Sequence, residues 1–193
     1  MNQKSNTKRL VVSAIMIGLA AALSMIKVWK MPLGGSITLL SMLPICMLSI
    51  KYGVKWGLFS SFAYALVQIA LDFAELMSWG MTLKIWIGCI IFDYLLAYTS
   101  LGLAGLFRKK GAVGAAGTVR MCIGIAAALV VRFVCHVISG TIFFDIWCPD
   151  DWNVYLYSIV YNGTFMGSEL LFTLIAAAIL FNIPQTSKLI SEE

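Results

Sequence analysis

Charge is what this chain has least of. Asp, Glu, Lys and Arg make up 12% of its 193 residues, against about a quarter in an ordinary soluble domain. With 61% of residues hydrophobic, most of the surface must face something other than water. The apolar runs follow one another too closely to leave room for a separate soluble domain. The net charge of +5 does not point to nucleic acid, because the basic residues stand at the ends of apolar runs. Lipid head groups and the positive-inside rule account for them there. Histidine occurs once, and the five cysteines (Cys46, Cys89, Cys122, Cys135, Cys148) are scattered without a CxxC pair. That pattern argues against a disulfide framework or a zinc site and leaves the cysteines as packing residues. Catalytic machinery is also missing. No serine or cysteine has a placed base, and no carboxylate pair is spaced for acid–base work. GLFRKKG (105–111) is basic but lacks the P-loop pattern, and no Mg²⁺-binding acidic cluster accompanies it. The chain is therefore expected to be neither an enzyme nor a holder of a cofactor, and unable to hydrolyse ATP by itself.

What is present is a series of six apolar runs, near residues 10–28, 37–50, 56–71, 82–107, 115–144 and 155–181. Crossing the hydrocarbon core takes ~20 helical residues, so residues 1–193 are expected to form one all-α integral membrane domain of six transmembrane helices. The second run is short. The first stops at Lys27, Trp29, Lys30 and Pro32, the third at Asp72 and Glu75, and the fourth at Arg108-Lys109-Lys110. MNQKSNTKRL has no cleavage site after it and is read as a retained cytoplasmic end. Lys4, Lys8, Arg9, Lys51, Lys55, Arg108–Lys110 and Lys188 fall on one side of this arrangement. Lys27 and Lys30 fall on the other, together with Asp72, Glu75, Asp145, Asp150 and Asp151. The asymmetry places both termini in the cytoplasm, with Trp29, Trp79, Trp147 and Trp152 as an outer aromatic belt.

Ionisable residues inside apolar spans are costly and mark sites, pathways or helix contacts. Asp93, Arg132 and Glu169 are of this kind, and His136 lies one turn from Arg132. Lys84 and Arg120, nearer helix ends, can snorkel and receive no role. At ~1.5 Å per residue, Asp93 lies roughly 15 Å, His136 roughly 12 Å and Asn162 roughly 10 Å from the outer ends of their helices. Tyr157 stands near the mouth, and Tyr94, Phe144, Trp152 and Tyr161 add aromatic faces. Glu169 is deeper. Convergence of a carboxylate, an imidazole, a carboxamide and aromatic rings at one depth suits a small, flat organic cation. A plain Asp93–Arg132 pair locking two helices accounts for part of the pattern, and a proton relay through Asp93 and Glu169 is a further reading. Against a stand-alone carrier stands the lack of an inverted repeat.

Four blocks carry a resemblance: MPLGGSITLLSMLP (Met31–Pro44), FDYLLAYTSLGLAGLFRK (Phe92–Lys109), RFVCHVISGTIFF (Arg132–Phe144) and LYSIVYNGTFM (Leu156–Met166). Together they resemble the thiamine-specific S components of energy-coupling factor (ECF) transporters, the ThiT family, over nearly the whole chain. The resemblance implies a high-affinity thiamine-binding subunit in a bacterial plasma membrane, with a thiamine precursor or another vitamin as the alternative substrate. Its implied partners are membrane lipid, an ECF transmembrane coupling protein and two ATPase subunits. It assigns substrate contacts to Asp93 and Tyr94, to His136, and to Tyr157 and Asn162, which agrees with the depth argument. Departures concern aromatic and acidic positions. A tryptophan of some members is Phe144 here, a second aligns with Gly35, and Asp93 replaces a glutamate. Trp29, a few residues from Gly35, is the candidate to restore the second ring. Ala14, Gly18 and Ala22 form a small-residue face on the first helix, which the resemblance assigns to docking on the coupling protein.

Overall fold

The protein, seen in a computed structural model that describes residues 3–109 and 114–191, is built from helices joined by one small hairpin. Lys110, counted above among the basic loop residues, lies outside the described residues. Helix α1 is Gln3–Met25. Strands β1 (Lys27–Lys30) and β2 (Ser36–Thr38) pair antiparallel, with Trp29 opposite Ile37 and Lys30 opposite Ser36. Then come α2 (Leu43–Tyr52), α3 (Val54–Ser78), α4 (Leu83–Gly105), α5 (Gly114–Ile142), α6 (Val154–Asn182) and the short α7 (Pro184–Ser191). α1, α3, α4, α5 and α6 are long and apolar enough to cross a membrane, and α2 is a shorter apolar helix of 10 residues.

Three boundaries differ from those the sequence suggests. The first run, 10–28, ends as a helix at Met25, because Lys27–Lys30 forms a strand. The second, 37–50, begins in β2, and its helix starts only at Leu43, just before Pro44 in the first turn. Proline is pre-set for that position and has no amide hydrogen to lose there. The third, 56–71, continues two turns past Asp72 to Ser78. Asp72 and Glu75 do not stop the helix because Lys27 and Lys30 of the hairpin neutralise them, at 3.0–3.7 Å.

Helix α4 changes winding along its length. Leu83–Cys89 is α-helical, Ile90–Leu96 is a π segment, and Ser100–Gly105 is 3-10. A π segment inserts a residue into the ladder and re-aims its side chains, and this one carries Asp93 and Tyr94. At the end of the bundle near both chain termini, the core is close-packed. Ile45, Ile50, Tyr64, Leu101, Ile125, Leu129 and Phe181 are all buried there. A Cβ on Gly124 would lie 2.1 Å from the Ala104 carbonyl oxygen, so α4 and α5 touch backbone to backbone. The outer faces carry exposed Ile15, Phe59, Leu83, Ile123 and Ile179, as a lipid-facing surface requires. The tight half supports the other end of the bundle, where packing gives way to a cavity.

Candidate functional site

A cavity of about 140 Å³ lies between α3, α4, α5, α6 and the hairpin. At ~10–15 Å³ of such space per water, it holds on the order of ten water molecules, more than a packing void. Asp93, Tyr94, His136, Phe144, Tyr157 and Asn162 all line it. Trp29 does not. It sits on β1 with 61% of its surface exposed, and the bulge between Lys27 and Trp29 belongs to the same strand.

At the centre is a chain of polar contacts between α4 and α5. The π segment presents Asp93 to His136 Nδ1 at 2.8 Å and to the Ser139 hydroxyl, which donates to Oδ2. From one turn away on α5, Arg132 Nε donates to His136 Nε2 at 3.3 Å. A guanidinium can only donate, so Nε2 is the accepting nitrogen and the imidazole proton sits on Nδ1, facing Asp93. His136 is therefore a neutral imidazole of fixed tautomer, standing between the carboxylate and the arginine. The direct Asp93–Arg132 pair considered from the sequence is replaced by this relay. Arg132 also lies over the Tyr98 ring, 4.0 Å from its centroid. Asn162 is oriented by Ser158, donating to its carbonyl at 2.9 Å and its hydroxyl at 3.2 Å. Gly140 makes this possible, since a Cβ there would sit 2.3 Å from the Ser158 hydroxyl.

Aromatic rings wall the side of the cavity toward the hairpin. Tyr157, Tyr161 and Phe165 follow one another along α6 at 6.0–6.1 Å between centroids, and Phe165 meets His136 at 5.8 Å. Phe144 packs edge-to-face on Trp79 at 6.4 Å. Trp79, which the sequence places in an interfacial belt, also walls the cavity, reached because α3 is longer than its charges suggest. Its benzo ring packs against the hairpin turn: a Cβ on Gly34, whose φ is +92°, would be 2.4 Å from Trp79 Cη2. Gly35 is also crowded, with Tyr161 Oη 2.8 Å and Phe165 Cδ1 3.0 Å from a notional Cβ. No ring fits at position 35 in this packing.

Further lining residues escape a reading of the sequence or receive no role from it. Asp72 accepts from the Tyr94 hydroxyl at 3.1 Å, which steers that ring, and both Asp72 and Glu75 line the mouth. Gln68 bridges Ser24 at 3.0 Å and the Tyr98 hydroxyl at 3.1 Å. Arg132 and Glu169, 5% and 1% exposed, form the floor. Ala14, Gly18 and Ala22 are not among the cavity-lining residues; they are exposed on α1, and nothing comes within 4 Å of a Cβ built on Gly18. Among the described residues, no group of three or more His, Cys, Asp or Glu could hold a metal ion.

Known proteins share this chain's sequence and fold. It is 31% identical over 192 residues to the thiamine transporter ThiT of Bacillus subtilis strain 168, an alignment covering 94% of each chain. It is 26% identical over 145 residues to the thiamine transporter ThiT of Lacticaseibacillus paracasei, covering 72% of this chain and 68% of that one. A solved structure of ThiT from Listeria monocytogenes superposes with a TM-score of 0.74, covering 96% of this chain and 98% of that one, at 23% identity. That likeness establishes the fold. These relatives are transporters rather than enzymes and, with five apolar helices of spanning length, indicate a multi-pass bacterial membrane protein. The family model of the thiamine transporter protein (Thia_YuaJ) matches residues 10–189, and the chain belongs to that family.

Proposed function

We propose that the chain captures thiamine at the outer face of the plasma membrane and hands it inward as the S component of an ECF transporter. The observation that carries this reading is the Asp93–His136 pair at 2.8 Å inside a cavity walled by Trp79, Phe144 and Tyr157. Charge supports it. The mouth cluster of Lys27, Lys30, Asp72 and Glu75 sums to zero. Glu169 Oε1 accepts two hydrogen bonds from Thr38 on the cavity floor. Deeper in the cavity, the Asp93 carboxylate is the group that a monovalent organic cation such as a thiazolium would face. In this reading the thiazolium lies between Asp93 and the rings of Trp79 and Phe144. His136, Asn162, Tyr94 and Tyr157 bound the aminopyrimidine. Trp79, rather than the exposed Trp29, supplies the second large ring.

Six crossings with both termini cytoplasmic complete the topology, the short α2 being continued across by the chain from β2. The ATPase pair and the coupling protein supply the driving force, since the sequence holds no nucleotide-binding loop. The open Ala14, Gly18 and Ala22 face on α1 is the proposed contact with the coupling protein, because small residues let helices approach closely. Uptake into proteoliposomes tests this. Thiamine should accumulate only when the coupling module and ATP are present. Uptake by the chain alone, driven by a proton gradient, would replace this reading with that of a self-sufficient carrier.

A further inference from the structure

Glu169 is buried near the middle of α6, 1% exposed, where a carboxylate is expensive unless its oxygens are used. It makes no ion pair among the described residues. Its Oε1 instead accepts from the Thr38 amide at 2.5 Å and from the Thr38 hydroxyl at 2.6 Å, the last residue of β2 and 131 positions away in sequence. Its Oε2 is buried without a hydrogen-bond partner, and the residue lines the cavity floor. Helix packing alone would be served better by an apolar side chain. The geometry of the carboxylate is that of a clamp on the hairpin.

The surrounding backbone fits a clamp. Leu40, two residues beyond Thr38, is held at φ +58°, a left-handed conformation that is unfavourable for a non-glycine residue. Such a residue persists where neighbours over-determine it, and the Thr38 contacts and the Thr38–Ser41 hydroxyl bond of 2.7 Å do so here. The far end of the hairpin is fixed separately. Tyr161 donates to the Pro32 carbonyl and accepts from the Gly35 amide at 3.2 Å. The hairpin contributes Gly34, Gly35, Ser36 and Thr38 to the cavity wall, so the wall can part from the bundle only if the Glu169 contacts break.

We propose that Glu169 is a positioning residue that clamps β2 to α6 and thereby sets how slowly a bound ligand leaves. This rests on the thiamine reading above for its ligand, but the clamp itself does not. Losing both hydrogen bonds to this buried carboxyl corresponds to about a 10- to 100-fold change in a rate or equilibrium. Stopped-flow tryptophan fluorescence on the purified full chain should therefore show thiamine dissociating about 10- to 100-fold faster from Glu169→Ala, with association within about threefold of wild type. Thr38→Val, which keeps the amide and loses the hydroxyl, should show a smaller rise. The double variant should fall short of the product of the two, because both remove one contact. An unchanged dissociation rate, or strictly multiplicative effects, overturns the clamp.

Hydrogen exchange without ligand reads the same contact directly. In Glu169→Ala, amides of residues 36–41 should lose protection while those of α5 and α6 keep theirs; equal protection of 36–41 overturns the proposal. Where the alanine variant does not fold, Glu169→Leu, which has no acceptor, and Thr38→Val carry both comparisons, and Glu169→Gln, whose oxygen can still accept from Thr38, should stay near wild type. Failure of wild type to bind thiamine would remove the substrate assignment, and exchange would still decide on the clamp.

Discussion

Replacing Asp93 by asparagine removes one charge while nearly preserving shape. The carboxamide of D93N would keep one oxygen for the His136 Nδ1 proton, now 2.8 Å from Asp93, and turn its NH2 toward the Ser139 hydroxyl oxygen, which can accept. Arg132, one turn deeper and 5% exposed, would lose its main counter-charge in the relay. A cation about 4 Å from the carboxylate is stabilised by about 4 kcal/mol at an effective dielectric of ~20. Part of that is returned as desolvation on binding, so the expected loss of thiamine affinity is on the order of 100- to 1000-fold. The assay is an equilibrium fluorescence titration of wild type and D93N with thiamine and with an uncharged aminopyrimidine fragment. Affinity for the fragment should change by less than about tenfold, since the substitution removes charge rather than a hydrogen-bonding edge. Equal losses for the charged and uncharged ligands would refute the electrostatic role, and so would no loss for thiamine.

Other substitutions separate the parts of the account. Trp79→Ala removes a desolvated ring worth about 2 kcal/mol to a bound cation, so thiamine titration should show a loss of roughly 30-fold, whereas Trp29→Ala on the exposed strand should stay within about threefold. Gly34→Ala places a Cβ 2.4 Å from Trp79 Cη2 at φ +92° and should weaken binding about tenfold or more. Gly53→Ala, at φ +90° with its nearest neighbour at 4.0 Å, carries similar backbone strain outside the cavity and should leave affinity unchanged in the same titration. Gly124→Ala drives a Cβ into the Ala104 carbonyl and should cost about 1–3 kcal/mol of stability, read as a lower Tm in detergent with affinity retained in the surviving fraction.

The polar centre was legible because lipid makes it conspicuous. Asp93, His136 and Asn162 stand out in apolar helices where each needs a reason, and helical rise alone puts them at similar depths. The hairpin was not legible. Val28, Trp29 and Ile37 extend apolar runs that read equally well as helix, and only pairing between strands distinguishes them. The length of α3 was hidden for a related reason: Asp72 and Glu75 look like a helix end until Lys27 and Lys30 are seen to neutralise them. That one ambiguity conceals Trp79 as a cavity wall and leaves Trp29 as its stand-in. The π segment of α4 has no signature in FDYLL, and the partner of Glu169 lies too far along the chain for any local pattern to reveal it.

The central claim is that this cavity binds both rings of thiamine at once. Titrating the detergent-purified chain with thiamine, with its pyrimidine fragment and with its thiazole fragment, while following tryptophan fluorescence, tests it directly. Saturable quenching at nanomolar to low micromolar thiamine is expected, with much weaker binding of either fragment and loss of most of the signal in Trp79→Phe. No response to thiamine, with tight binding of one fragment or of a different vitamin, would leave the architecture standing and contradict the assignment of the site.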